Sequence, residues 1–227
     1  MARRLGIMGG TFDPIHLGHL VTADQARVDV GLDEVVFIPA GAPWQKHDAR
    51  VTSGEHRYLM TVLATAANPW FSVNRLEIDR GGPTYTVETL RDLRENLPDT
   101  ELFFITGADA ILNILTWKDA AEALELASFV AATRPGYDLA ALDEHGLRGC
   151  VTLLDVPALA ISSSDVRARF GSGRTVRYLI PREVEEFARK HGLYGTHGRG
   201  LAAADVTGRR HLDRERTQEE SAGHGPA

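Results

Sequence analysis

A chain of 227 residues, 43% hydrophobic and 25% charged, has the composition of a globular protein with one domain and enough length to bury a core. Its formal charge of −6 argues against sequence-independent nucleic-acid binding, which rests on cationic surface, but leaves room for a small anionic ligand held by a few local cations. Cys150 is the sole cysteine, so an internal disulfide is excluded and a reducing, cytosolic setting fits; no apolar run approaches the ~20 residues of a membrane span, and the one after the basic Met1–Arg4 is too short for a signal peptide.

Arg4 to Met8 reads as the first strand. Leu17, Leu20, Val21 and Val28 recur at helical spacing, and Gly31 stops that helix. Glu34 to Pro39 is a fully apolar second strand, as expected where helices cover both faces of a parallel sheet. Gly41 to Asp48 is a loop by composition. A helix follows Ser53-Gly54-Glu55-His56 to about Ala67; Phe71 to Ile78 reads as extended, and Arg80-Gly81-Gly82-Pro83 breaks it. Thr84-Tyr85-Thr86-Val87-Glu88 opens a helix that ends near Leu97-Pro98. Leu102 to Ile105 is a third apolar strand, followed by one helix through Leu115 and another from Lys118 to Leu126. Phe129 to Ala132 and Val151 to Val156 are the fourth and fifth, with a short surface helix at Leu139–His145 between them. Ile161 to Asp165 caps a helix to about Phe170, and Pro181 to Arg189 forms the last. This alternation predicts an α/β fold, a single doubly wound (Rossmann-like) parallel sheet with helices on both faces, over residues 1–195. Residues 196–227 lack Phe, Trp and Tyr and carry mixed charge, which predicts a disordered tail, the alternative being one weak helix from Arg209 to Glu220.

The densest chemistry lies in Gly9-Gly10-Thr11-Phe12-Asp13-Pro14-Ile15-His16-Leu17-Gly18-His19. In open α/β sheets ligands bind at the carboxyl ends of strands, and this stretch follows the first strand there. Gly9 and Gly10 allow backbone N–H groups to approach a phosphate closely. His16 and His19, three apart, share one face of the helix start and can donate hydrogen bonds to phosphate oxygens. The plainer alternatives are a simple turn for the glycines and a metal for the histidines, although no third ligand stands at a telling spacing. Asp13 is expected to bond within its own loop before Pro14. Thr11 and Phe12 are placed to touch a nucleotide, with core burial the other reading for Phe12.

A second candidate is Ile161-Ser162-Ser163-Ser164-Asp165-Val166-Arg167, a helix start whose free N–H groups, hydroxyls and Arg167 favour an anion. An ordinary serine N-cap with a solvated Arg167 explains the same residues. A third, scattered set comprises Thr84-Tyr85-Thr86, Gly107-Ala108-Asp109, Trp117 and Lys46. A carboxylate after the third apolar strand suits ribose hydroxyls. Trp117 belongs either to the core or to a stack on a flat ring. Lys46 is either an exposed lysine or a cation over a polyphosphate.

The first stretch resembles the leading signature of the nucleotidyltransferase superfamily, whose centre is His-x-Gly-His, and Ile161 to Arg167 resembles its second signature, Ile-Ser-Ser-Thr-x-x-Arg, with Ser164 in place of threonine. Pro83-Thr84-Tyr85-Thr86, Gly107-Ala108-Asp109 and Trp117 resemble the markers of the bacterial nicotinate-nucleotide adenylyltransferases. The likeness spans residues 5–194. It implies transfer of AMP from ATP to nicotinate mononucleotide, giving deamido-NAD and pyrophosphate in NAD biosynthesis. It implies that His16, His19 and Arg167 are catalytic. It puts Gly9, Gly10, Thr11, Phe12, Gly18, Lys46, Gly107, Asp109, Ser163 and Ser164 on ATP. It puts Thr84, Tyr85, Thr86 and Trp117 on the mononucleotide. Mg²⁺ is expected on the ATP phosphates, and neither nucleic acid nor membrane is expected as a partner; the oligomeric state is left open. One departure is Pro43-Trp44-Gln45-Lys46, where the family often has Pro-Pro-His-Lys. The alternatives are another acceptor within the superfamily, a nucleotide sensor without turnover, and a metal-dependent hydrolase.

Overall fold

The apolar runs at Val35–Ile38, Leu102–Ile105 and Phe129–Ala131 have no polar face to turn to water, so each needs cover on both sides. The computed structural model describes residues 2–42, 51–111, 113–133, 151–157 and 159–195. The expectations for Lys46, the Leu139–His145 helix and the 196–227 tail lie outside the described residues. Six strands, β1 (Arg3–Gly10), β2 (Glu34–Pro39), β3 (Phe71–Val73), β4 (Thr100–Gly107), β5 (Ser128–Thr133) and β6 (Val151–Asp155), form one sheet in the order β3-β2-β1-β4-β5-β6. Every pairing is parallel. The helices are α1 (Leu17–Val30), α2 (Gly54–Thr65), α3 (Leu76–Arg80), α4 (Thr86–Asn96), α5 (Ala108–Ile111), α6 (Ala120–Leu126), α7 (Ser163–Gly171) and α8 (Arg182–Lys190).

Strand alternation sends neighbouring apolar residues into two cores. Val35, Phe37, Phe103, Ile105 and Val130 face one of them, with Ala23 and Ala26 of α1, Met60 of α2, Val166 and Phe170 of α7, and Val184 of α8. Val36, Ile38, Leu102, Phe104, Phe129 and Ala131 face the other, with Val87, Leu90 and Leu93 of α4, Ile111 of α5 and Ala123 of α6. The doubly wound α/β sheet predicted from the alternation is therefore the observed one. The chain runs outward from β1 through β2 to β3, then returns to place β4 on the other side of β1. The crevice at this reversal lies at the carboxyl ends of β1 and β4, which is where such folds bind ligands.

Three local readings are corrected. Gly9 and Gly10 are the last residues of β1, paired with Ile38 and Pro39, and do not follow the strand as a free loop. Phe71–Ile78 is not one extended run. β3 ends at Val73, and the Asn74 carboxamide accepts the Leu76 N–H at 2.8 Å and starts α3. The helix expected through Leu115 is a short α5 followed by a 3₁₀ turn at Ile114–Thr116, and the next helix begins at Ala120 rather than Lys118. Gly31 does stop α1, with a left-handed φ of 70°.

Candidate active site

The signature loop is shaped by ring packing as much as by backbone freedom. Phe12 adopts a left-handed φ of 49° and tucks its ring into the core, 2% exposed. A Cβ on Gly10 would lie 2.8 Å from that ring, so the position has room only for glycine. The Phe12 ring meets His19 edge-on at 5.1 Å, which resolves its role toward core and leaves only its backbone for a ligand. His16 caps α1 from an extended conformation, and its N–H donates to Nδ1 of His19 at 3.1 Å. With Nδ1 occupied as an acceptor, a neutral His19 carries its hydrogen on Nε2. The two imidazoles stack at 3.6 Å. Burial pushes His16 down to about 4, so its ring is neutral at physiological pH. A Cβ on Gly18 would come within 3.0 Å of the His16 ring, which explains the glycine between the histidines.

The second motif reaches the same loop. Ser162 caps α7 by accepting the Asp165 N–H at 3.1 Å, as the plain capping reading expects. The residues after it are not idle, however. Ser163 Oγ donates to the Pro14 carbonyl at 2.9 Å, and Arg167 Nη1 donates to the Asp13 carbonyl at 2.7 Å while Nη2 reaches Ser164 Oγ at 3.2 Å. Arg167 is therefore not a solvated side chain. Ser163, Ser164 and Arg167 stand behind the loop rather than in the walls of either cavity described below. The expectation for Asp13 is corrected as well. Its carboxylate accepts the Thr52 N–H at 3.2 Å and the Tyr194 hydroxyl at 2.7 Å, both from distant segments, and not a group of its own loop.

Two cavities open on either side of the end of β1, sharing Gly9 and Thr106. The histidine-side cavity, of about 310 Å³, is walled by His16, Gly18, His19, Thr22 and Gly107, with Val156, Pro157, Leu159 and Ile161 as an apolar flank. The other, of about 200 Å³, is walled by Gly9, Gly10, Thr11, Thr84, Tyr85, Thr86, Phe104 and Trp117, with Glu77 and Lys118. Trp117 is half-buried, ends the 3₁₀ turn, packs at 80° to the Phe104 ring with centroids 6.2 Å apart, and lines the cavity. Asp109 stands in α5 at the same sheet edge.

Three residues were missed by the sequence reading. Glu77, 8% exposed, lines the second cavity; burial raises its pKa, and Thr89 Oγ1 donates to it at 2.7 Å. It sits in a stretch read as strand, so its inward face was invisible. Lys118 is the one lysine or arginine among the described residues walling this cavity. Its Nζ lies 4.5 Å from the Tyr85 ring and 2.6 Å from Glu88, which raises its pKa. Its adjacency to Trp117 was the available signal. Arg57, buried to 1%, contacts loop carbonyls and carries no motif at all.

Among the described residues, no helix is long and apolar enough to cross a membrane. The cytidylyltransferase-like family matches residues 7–169. A probable nicotinate-nucleotide adenylyltransferase of Clavibacter michiganensis subsp. michiganensis is 62% identical over 192 residues, covering 84% of this chain and 94% of the relative. One of Paenarthrobacter aurescens is 56% identical over 201 residues, covering 88% and 94%. The solved nicotinic acid mononucleotide adenylyltransferase of Plasmodium falciparum, complexed with NaAD, shares the fold at a TM-score of 0.72 and 22% identity, covering 86% of this chain and 98% of that one. On this sequence likeness, the chain belongs to the cytidylyltransferase-like nucleotidyltransferases and, among them, to the nicotinate-nucleotide adenylyltransferases.

Proposed function

We propose that residues 1–195 carry out AMP transfer from ATP to nicotinate mononucleotide, releasing pyrophosphate and forming deamido-NAD. The observation that carries this reading is the pair of cavities meeting at Gly9 and Thr106, one holding the stacked histidines and the other Trp117. A mononucleotide phosphate is already a nucleophile at neutral pH, so the protein needs to supply position and charge stabilisation rather than a nucleophile of its own. In this reading the histidine side takes ATP, with Gly107 and Asp109 toward the adenosine. His19 Nε2–H and the neutral His16 donate to oxygens of the α-phosphate, and the charge that builds on the leaving pyrophosphate is met by preorganised donors. Ser163 and Arg167 first hold the loop through the Pro14 and Asp13 carbonyls, with Ser164 accepting from Arg167, and the three turn toward polyphosphate when it arrives.

On the acceptor side the pyridine ring stacks on Trp117, with the backbone at Thr84–Thr86 beside it. Lys118, paired with Glu88 at 2.6 Å, is the cation at that end of the cavity and favours a ring bearing a carboxylate over one bearing an amide by whatever charge that pair leaves. Mg²⁺ belongs to this reading as a counter-ion riding on the ATP phosphates, where it screens their charge. It fits a site whose described polar groups are imidazoles, hydroxyls and amides rather than a carboxylate cage, because Mg²⁺ keeps its waters and takes few protein ligands. A cytosolic location goes with these substrates.

The test is to incubate the protein with ATP and Mg²⁺ and, in turn, nicotinate mononucleotide, nicotinamide mononucleotide and phosphopantetheine, and to follow pyrophosphate. Release with the nicotinate compound above the other two is expected. No release with it overturns the reading, and release without any acceptor points to a hydrolase.

A further inference from the structure

Arg57 is the most deeply buried charged side chain among the described residues, and it belongs to none of the sequence motifs. It rises from the first turn of α2, and its guanidinium divides itself among three backbone carbonyls from three segments. Nη1 donates to Thr11 at 2.8 Å, Nη2 to Gly41 at 2.9 Å and Nε to Thr52 at 2.8 Å. Thr11 walls the acceptor cavity. Gly41 and Thr52 flank the connection that bears Lys46 in the sequence. The Thr52 peptide unit is gripped from both sides, since its N–H donates to Asp13 of the signature loop. Gly41 packs so closely on the Glu77 carbonyl that a Cβ there would lie 2.2 Å from it, so the position has room only for glycine. The three donors of a lysine ammonium radiate from one nitrogen, whereas the planar guanidinium spreads its donors over three nitrogens and so reaches three separated carbonyls.

We propose that Arg57 is a positioning residue for adenylyl transfer, its guanidinium fixing the distance between Thr11 in the phosphate loop and both ends, Gly41 and Thr52, of the connection bearing Lys46. This rests on the adenylyltransferase reading above. A buried arginine that only braced the fold would be satisfied by any three carbonyls. Here all three belong to segments at the carboxyl edge of the sheet, where the two nucleotides must be brought into line. Burial lowers the arginine pKa and Asp13 opposes that fall, so the clamp stays charged.

The experiment compares the unaltered protein with Arg57→Lys, at a temperature well below the melting point of both, with nicotinate mononucleotide and ATP each varied. The expected result is a fall in kcat of about tenfold or more, the order expected when reacting groups are slightly misplaced, with KM for ATP within about twofold. Unchanged kcat and KM values in a variant that merely melts earlier would overturn the proposal. A second measurement does not depend on the variant folding. In ¹⁵N-labelled unaltered protein, the Arg57 Nε–H resonance should shift on saturation with nicotinate mononucleotide, and a resonance unmoved by either nucleotide also overturns it. If the unaltered protein releases no pyrophosphate with nicotinate mononucleotide, the functional reading itself has failed. If it does and Arg57→Lys matches it, only the clamp has failed.

Discussion

On the histidine side, the two titratable groups sit three residues apart at one helix start, whereas on the acceptor side Glu77, Tyr85 and Lys118 come from three separate parts of the chain. A single β-loop-α unit therefore carries both imidazoles, and Ser163 and Arg167 of α7 brace its loop. The acceptor cavity exists only after α3, α4 and the turn before α6 have docked on the sheet. The two sides also share one device. Burial drives His16 and Glu77 in opposite pKa directions, and in both cases toward the neutral form. In the proposed reading the formal charges that sort ligands then come from elsewhere: Lys118 on one side and Arg167 behind the loop on the other.

This contrast predicts unequal responses. The largest is in turnover: His16→Ala and His19→Ala should each lower kcat by roughly 10²-fold or more, as loss of a transition-state donor does, with little change in the KM for mononucleotide. Steady-state kinetics with both substrates varied will check it, and wild-type turnover in either variant would remove the histidines from the chemistry. Next is Trp117→Ala, for which KM for mononucleotide should rise about tenfold, the worth of one stacked ring, while KM for ATP barely moves. The reverse pattern would return Trp117 to a core role.

A smaller contrast is in stability against pH. His16 has a native pKa of about 4, below its ordinary 6.5, so the unfolded chain takes up a proton that the native chain refuses. Its contribution is present above pH 6.5 and is lost as pH falls toward about 4, with a slope of up to about 1 kcal/mol per pH unit. Glu77, raised from 4.5, acts in the opposite sense: its contribution is present below pH 4.5 and is lost as pH rises through its native value. Urea unfolding across pH 4–8 should show His16→Gln flattening the acid limb and Glu77→Gln the limb above it. An acid limb identical in His16→Gln and the unaltered protein would contradict the burial argument. The smallest effect is expected from Lys118→Met, which should reduce the ratio of kcat/KM for the acid over the amide mononucleotide by about threefold, since an exposed charge is well screened. A ratio unchanged within error would assign selectivity to the backbone alone.

The same contrast explains what could be read from the residues. The central strands were legible because fully apolar runs have few alternatives, and the signature was legible because glycines, a proline and two histidines crowd into eleven positions. Phe71–Ile78 misled because Phe71, Val73, Leu76 and Ile78 look like strand, while the decisive residue was Asn74, a polar side chain capping the turn. Asp13 misled for another reason. Its partners lie 39 and 181 residues away, and no local rule for aspartate before proline reaches that far. Arg57 was hidden because a charged residue on a helix is normally solvated, and Glu77 because its stretch reads as strand; only tertiary packing turned these two inward.

Gly18 has one more consequence. It occupies the second position of α1, where alanine would favour the helix by up to about 1 kcal/mol, the helix-interior value. The methyl group that would bring this gain would press on the His16 ring at 3.0 Å. The first turn of α1 is thus kept weaker as a helix so that an imidazole can lie across it. A redesign of this protein for heat resistance that scored helix propensity alone would choose Gly18→Ala early, and would tighten the helix while displacing the His16 ring.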